Sequence, residues 1–199
     1  ELLVDAPAHS QGVVLLAHPQ PLLGGSAQHK VPHFLAKALA QAGWLVLRPN
    51  FRGVGQSAGT HDQGEGETLD LIWLADALKA QLPALPLCLV GISFGAYVQA
   101  RVATHLQQQV RPAQSVVLAA MPYGEVQGGR RYETPQGIAN ARVIHGELDE
   151  RVPLQSVLEW ARPSSQIVCV VSGSDHLFTG KLAPLRDLIL EFLSSKETP

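Results

Sequence analysis

The sequence predicts an α/β fold: a doubly wound, mostly parallel sheet with helices on both faces. Three observations predict it. Short, continuously apolar runs alternate along the chain with longer stretches whose apolar residues recur at the helical period. The apolar runs are solid rather than alternating, which is how a strand reads when both its faces are covered. Only 16% of residues are charged, against about 25% in an ordinary globular domain, so much of the chain is expected to lie in buried elements.

The predicted strands are residues 13–17, 44–48, 87–90, 115–119, 142–145 and 166–171, with residues 2–4 as an extra edge strand. The first predicted helix, 31–42, carries Phe34, Leu35, Ala38, Leu39 and Ala42 as a stripe, and Gly43 stops it. The second, 68–82, repeats the pattern with Leu71, Leu74, Ala75 and Leu78, and Pro83 ends it. Helix 94–105 follows strand 87–90, and helices 154–161 and 182–194 follow the last two strands. Strand, helix, strand in this order implies right-handed crossovers. No repeat or linker interrupts it, so residues 1–199 read as a single domain.

Charge narrows the function classes. The net charge is −2 and the isoelectric point about 6.5, which is no footprint for nucleic acid. No run of 18 apolar residues occurs, so no membrane span is expected. Cys88 and Cys169 each sit in an apolar run and read as buried, reduced thiols, which favours the cytoplasm.

In such a sheet, ligands bind beyond the carboxyl ends of the strands, so the chemistry is sought in the loops that leave them. Two pentapeptides match G-x-S-x-G, around Ser57 and Ser93. Ser93 follows the apolar run 87–90 directly and a helix begins after it, the strand–turn–helix context a nucleophile elbow needs. Ser57 lies well past its strand and is followed by polar, Gly-rich sequence. Ser93 is therefore the candidate nucleophile. It needs a base, and the base an orienter. Asp149 and His176 each fall just beyond a later strand, in the chain order Ser, Asp, His. Asp175 is adjacent to His176 and reads as a turn cap; Glu147 and Glu150 are weaker rivals to Asp149. One oxyanion donor is expected from the Phe94 amide, the other from the loop after the first long strand, where Pro19 and Pro21 have no N–H. Gln20 is the candidate there and Leu22 the reserve. His18 ends a buried strand and reads as a hydrogen-bonded structural residue.

The segments HPQPLLGG (18–25), RPNFRGVGQSAG (48–59), DQGEGETLD (62–70), GISFG (91–95) and HGELDERVP (145–153) together resemble the small, lidless bacterial serine hydrolases of the α/β-hydrolase superfamily. The resemblance runs from Val13 onward. It implies a Ser–His–Asp triad carried by Ser93, His176 and Asp149, acyl-ester hydrolysis on a small-molecule ester, and no cofactor. One departure stands out: the oxyanion loop begins His18-Pro19 where the family commonly has His-Gly. A peptidase or thioesterase with the same triad, or a non-catalytic scaffold that binds a ligand, remains an alternative reading.

Weaker signals have plainer readings. The stretch Gly53-Val54-Gly55 lacks the helix start that a dinucleotide fingerprint requires. His29 and His33 have no acidic partner in sequence and read as a solvated helix start. Glu67 and Asp70 suit a helix dipole, and Arg130-Arg131 reads as solvated surface. The stretch 122–141 is too short for a cap domain, so an open site is expected, rimmed by Leu22, Leu23, Tyr123 and Phe178.

Overall fold

The computed structural model describes residues 1–194. Seven strands form one sheet: β1 (Leu2–Asp5), β2 (Gly12–Ala17), β3 (Trp44–Pro49), β4 (Leu87–Ile92), β5 (Ser115–Ala119), β8 (Ala141–Gly146) and β9 (Ile167–Val171). A two-stranded hairpin of β6 (Gly124–Glu125) and β7 (Arg131–Tyr132) stands apart from it. The spatial order is β1-β3-β2-β4-β5-β8-β9. Within this sheet only β1 runs antiparallel, against β3; the other pairings of the sheet are parallel.

Five helices cover the sheet: α1 (Lys30–Gln41), α2 (Glu65–Gln81), α3 (Phe94–Gln108), α4 (Leu154–Ala161) and α5 (Leu182–Ser194). Successive strand residues point to opposite faces, and the core divides accordingly. Val13, Leu15 and Ala17 of β2 pack with α2, α3 and α4. Val14 and Leu16 pack with α1 and α5. Both faces are buried, which is why β2, β4 and β5 read as solid apolar runs.

The predicted strands are all present, within two residues at their ends. Helix α2 starts three residues earlier than its apolar stripe suggested. Its Glu67 is wholly buried and reaches back to accept the N–H groups of Asp62 and Gly64, each at 2.9 Å, so it caps the first turn by direct hydrogen bonds. Phe178, expected at the rim, is instead fully buried in the core beneath α1 and α5. Cys88 is buried and its thiol pKa is pushed up to about 12, chiefly by desolvation; Cys169 is only half-buried. Among the described residues, no helix is long and apolar enough to cross a membrane.

Candidate active site

Strand β4 ends at Ile92 and α3 begins at Phe94, so a single residue makes the turn. That residue, Ser93, has φ +55° and ψ −121°, a conformation a side chain rarely adopts and one that stores strain. Two glycines make the bend possible. A Cβ on Gly91 would lie 2.4 Å from the Gly95 carbonyl oxygen, and one on Gly95 would lie 2.5 Å from the carbonyl oxygens of Ala17 and His18. The second contact matters for the site, because it lets the first turn of α3 press against the end of β2 and the loop that leaves it.

The loops after β4, β8 and β9 bring three polar side chains into one line. His176 Nε2 lies 2.8 Å from Ser93 Oγ. His176 Nδ1 lies 2.8 Å from Asp149 Oδ2. With the carboxylate on the Nδ1 side, Nδ1 carries the proton and Nε2 is free to accept from the hydroxyl. Asp149 is held in turn: its Oδ1 accepts the N–H groups of Arg151 and Val152, both at 2.9 Å. Burial pushes its carboxyl pKa up, but the His176 hydrogen bond and charge, the Val152 amide and His145 outweigh this, and the net shift is downward. All three side chains are sheltered, with Ser93 the most accessible at 9% exposure.

A further histidine, His145, stands on the other side of Asp149. Its Nε2 donates to the Val152 carbonyl at 3.0 Å and lies 3.4 Å from Asp149 Oδ2. Burial lowers its pKa, against the opposing pull of the Asp149 carboxylate. A histidine at a strand end carries no local sequence signature of what faces it, so His145 stands out only in the fold.

The oxyanion candidates are placed as follows. Phe94 opens α3, so its N–H has no carbonyl one turn back to bond. Gln20 lines the same cleft as Ser93 and His176. Its carbonyl accepts from Leu23 and Gly25, while its N–H donates to no acceptor among the described residues. The reserve, Leu22, gives its N–H to Gln20 Oε1 at 3.4 Å. His18 sits behind this loop. Its Nε2 accepts from the Phe51 N–H at 3.0 Å, so its Nδ1 carries the proton and donates to the Pro19 carbonyl at 2.7 Å. Desolvation holds its pKa down at about 4.

The remaining candidates have other hydrogen-bond or ion-pair partners, although His29 also lines the Ser93 cleft. Ser57 donates to the Asn50 carbonyl at 2.8 Å, outside the Ser93 cleft, and ties a loop. Asp175 accepts from the Leu177 and Thr179 amides and caps a turn. Glu147 accepts from Gly173 N–H, and Glu150 faces Arg151. His29 caps α1, accepting from Val31 N–H at 3.5 Å. Asp70 pairs with both ends of the Arg52 guanidinium at 2.9 Å.

Leu23 lines the cleft as expected, whereas the exposed Leu22 lines an adjoining groove. Tyr123 packs against the core instead. In its place stand residues of the β6–β7 hairpin, Val126, Arg130 and Tyr132. Tyr132 packs edge-on to Phe94 and Tyr97 and accepts from Gln20 Nε2 at 3.1 Å. A two-residue strand carries no periodicity, so only the fold brings these residues to the cleft.

Residues 14–124 match the family model for the α/β hydrolase fold. The chain is 30% identical over 193 residues to an uncharacterized protein of Rickettsia prowazekii, covering 91% of this chain and 78% of that one. Among solved structures it resembles an α/β serine hydrolase from Xanthomonas campestris described as without lid, at 34% identity and TM-score 0.82, over 100% of this chain and 90% of that chain. An α/β serine hydrolase homologue from Coxiella burnetii is similar at 31% identity and TM-score 0.83, over 97% of this chain and 91% of that chain. A family match over more than half the chain, joined by relatives of this identity along nearly its whole length, has one meaning: this chain belongs to the α/β hydrolase superfamily.

Proposed function

We propose that the chain is a serine hydrolase that cleaves small acyl esters through an acyl-enzyme, acting in the cytoplasm from one domain spanning residues 1–199. The observation that carries the reading is the unbroken line from Ser93 Oγ through His176 to Asp149, with 2.8 Å at each step. In the first half-reaction His176 Nε2 takes the Ser93 proton as Oγ attacks the ester carbonyl. The tetrahedral oxyanion is held by the Phe94 and Gln20 amides, at the positive end of α3. His176 then returns the proton to the leaving alcohol as the C–O bond breaks. In the second half-reaction His176 takes a proton from water, hydroxide adds to the acyl carbon, and Ser93 leaves with that proton. Asp149 holds the imidazole in the tautomer that accepts at Nε2 and stabilises the imidazolium. All of this is done by side chains and backbone amides, so the scheme calls for no cofactor.

Turnover of 4-nitrophenyl acetate tests the reading. Ser93→Ala should lower kcat by at least about a thousandfold, and a fluorophosphonate probe should label the native protein at Ser93 alone. Retention of more than a few per cent of activity by the variant, or a folded native protein that takes no label, would overturn it.

A further inference from the structure

The cleft around Ser93 has a sign of charge that the molecule as a whole lacks. The chain carries 17 acidic residues against 15 Lys and Arg. Yet among the described residues no Asp or Glu lines the cleft that holds Ser93 and His176, whereas Arg130 and Arg151 do. An adjoining groove, which shares Gln20, Arg130 and Tyr132 with that cleft, is lined by Arg131 and by no carboxylate among the described residues; its His61 has Nδ1 2.9 Å from the buried Glu67 behind it.

The three guanidinium groups are not equivalent. Arg131 is exposed and faces Glu133 at 3.3 Å. Arg151 lies 3.8 Å from Glu150. Arg130 has no carboxylate partner among the described residues. Its Nε is buried without a hydrogen-bond partner. The Tyr132 hydroxyl is its neighbour; burial raises that phenol's pKa, while Gln20 and Arg130 oppose the rise. So the guanidinium shared by both lobes of the site is half-buried, bonded to the Tyr132 hydroxyl and without a carboxylate partner among the described residues. Such a group keeps donors free to pair with an arriving anion. Its planar fork matches two oxygens of a carboxylate or phosphate at once. Tyr132 links it to Gln20, the proposed second oxyanion donor.

We propose that Arg130 is a specificity residue that grips an anionic group on the ester, so that the substrate class is esters bearing a carboxylate or phosphate. This rests on the ester-hydrolase reading above, and the test separates the two. Binding is measured by calorimetry to Ser93→Ala, which cannot turn the ligands over. On the alcohol side, 3-acetoxybenzoate and 3-acetoxyphenyl phosphate are compared with the neutral 3-acetoxybenzamide. On the acyl side, the mono-4-nitrophenyl ester of adipic acid is compared with its methyl ester.

At least one anionic member should bind about tenfold or more tightly than its neutral partner, and the preference should weaken as salt is raised. Adding Arg130→Gln should bring the pair to within about twofold, and Arg130→Lys should restore part of the gap. The carboxylate and phosphate arms say which anion fits. No preference in any pair, or a preference that survives Arg130→Gln, overturns the inference. Turnover of the same esters by the native protein judges the ester-hydrolase reading separately. Hydrolysis without preference leaves that reading standing and sinks the inference. Preferential binding without hydrolysis does the reverse.

Discussion

Ser93 offers its hydroxyl to an imidazole because the backbone beneath it is bent against preference, and glycines carry the cost. Gly91, Ser93 and Gly95 were legible in the sequence because a strand–turn–helix reversal of one residue leaves no room for side chains beside it. Asp149 and His176 were legible because each follows a strand end directly. Arg130, Tyr132 and His145 were not, since their importance comes from what lies opposite them and not from their neighbours in the chain. The steric reading makes a graded prediction. At Gly180 the backbone has φ +71° and an added Cβ meets nothing within 4 Å, so Gly180→Ala should cost only the left-handed strain, about 1–2 kcal/mol. At Gly95 the added Cβ would meet backbone oxygens of two residues at 2.5 Å, and backbone cannot rotate away. Gly95→Ala should therefore cost about 3 kcal/mol or more. Urea unfolding of the two variants measures both; equal losses would mean that the helix–strand contact at Gly95 is not as tight as described.

Among the elements, β1 has a different kind of support from the rest. It is the one antiparallel strand of the seven-stranded sheet and lies at its edge, with Leu2 and Val4 exposed, so little apolar burial holds it. An ion pair does so instead. Arg48 of β3 donates from Nε and Nη2 to Asp5 Oδ2 at 3.0 and 2.6 Å and from Nη1 to the Ala27 carbonyl at 2.6 Å. Lys37 of α1 reaches the other oxygen of Asp5 at 2.9 Å. One carboxylate thus fastens the edge strand, its neighbour, a loop and a helix. Residues 2–4 suggested a strand from local composition, but nothing local reports that a buried arginine 43 residues away is its partner. Replacing Asp5 by Ala leaves Arg48 buried and unpaired, and should cost about 3–5 kcal/mol. Because the penalty comes from the orphaned charge, adding Arg48→Met to Asp5→Ala should recover part of the loss. A double-mutant cycle from guanidinium unfolding reads this directly, and a double variant as unstable as the sum of the singles would refute it.

At the scale of the molecule, the sheet was legible because parallel strands covered on both faces leave so distinctive a record: solid apolar runs, helical stripes between them and few charges. The β6–β7 hairpin left no such record, being too short for any period. What the low charge fraction does not reveal is that the ionisable groups which are buried come at a cost that depends on pH. His18 and His145 are both enclosed at the sheet's carboxyl edge, each with its protonation set by fixed backbone partners. Desolvation lowers both pKa values, that of His18 to about 4 from an ordinary 6.5. In the unfolded chain these imidazoles take up protons near their ordinary value, while in the folded chain they resist. Between pH 6.5 and 4 the unfolded state therefore binds more protons at His18, and the contribution of this group to stability rises with pH across that window. The His18 contribution is fully present above pH 6.5, declines as the pH falls, and is exhausted near pH 4, where the folded imidazole is protonated as well. A shift of this size corresponds to about 3 kcal/mol. Asp5 and Asp149, whose carboxyl pKa values are held down by ion pairs and hydrogen bonds against the pull of burial, act in a separate window below the ordinary carboxylate range. The unfolding free energy measured from pH 7 to pH 4 should thus fall steeply for the native protein and less steeply for His18→Gln, which has no proton to resist. The variant is expected to be less stable at pH 7, having lost a fitted hydrogen-bond pair, so the slope and not the intercept is the measure. Parallel slopes would show that His18 is protonated in the folded state near its ordinary value, and that the Phe51 amide does not hold its Nε2.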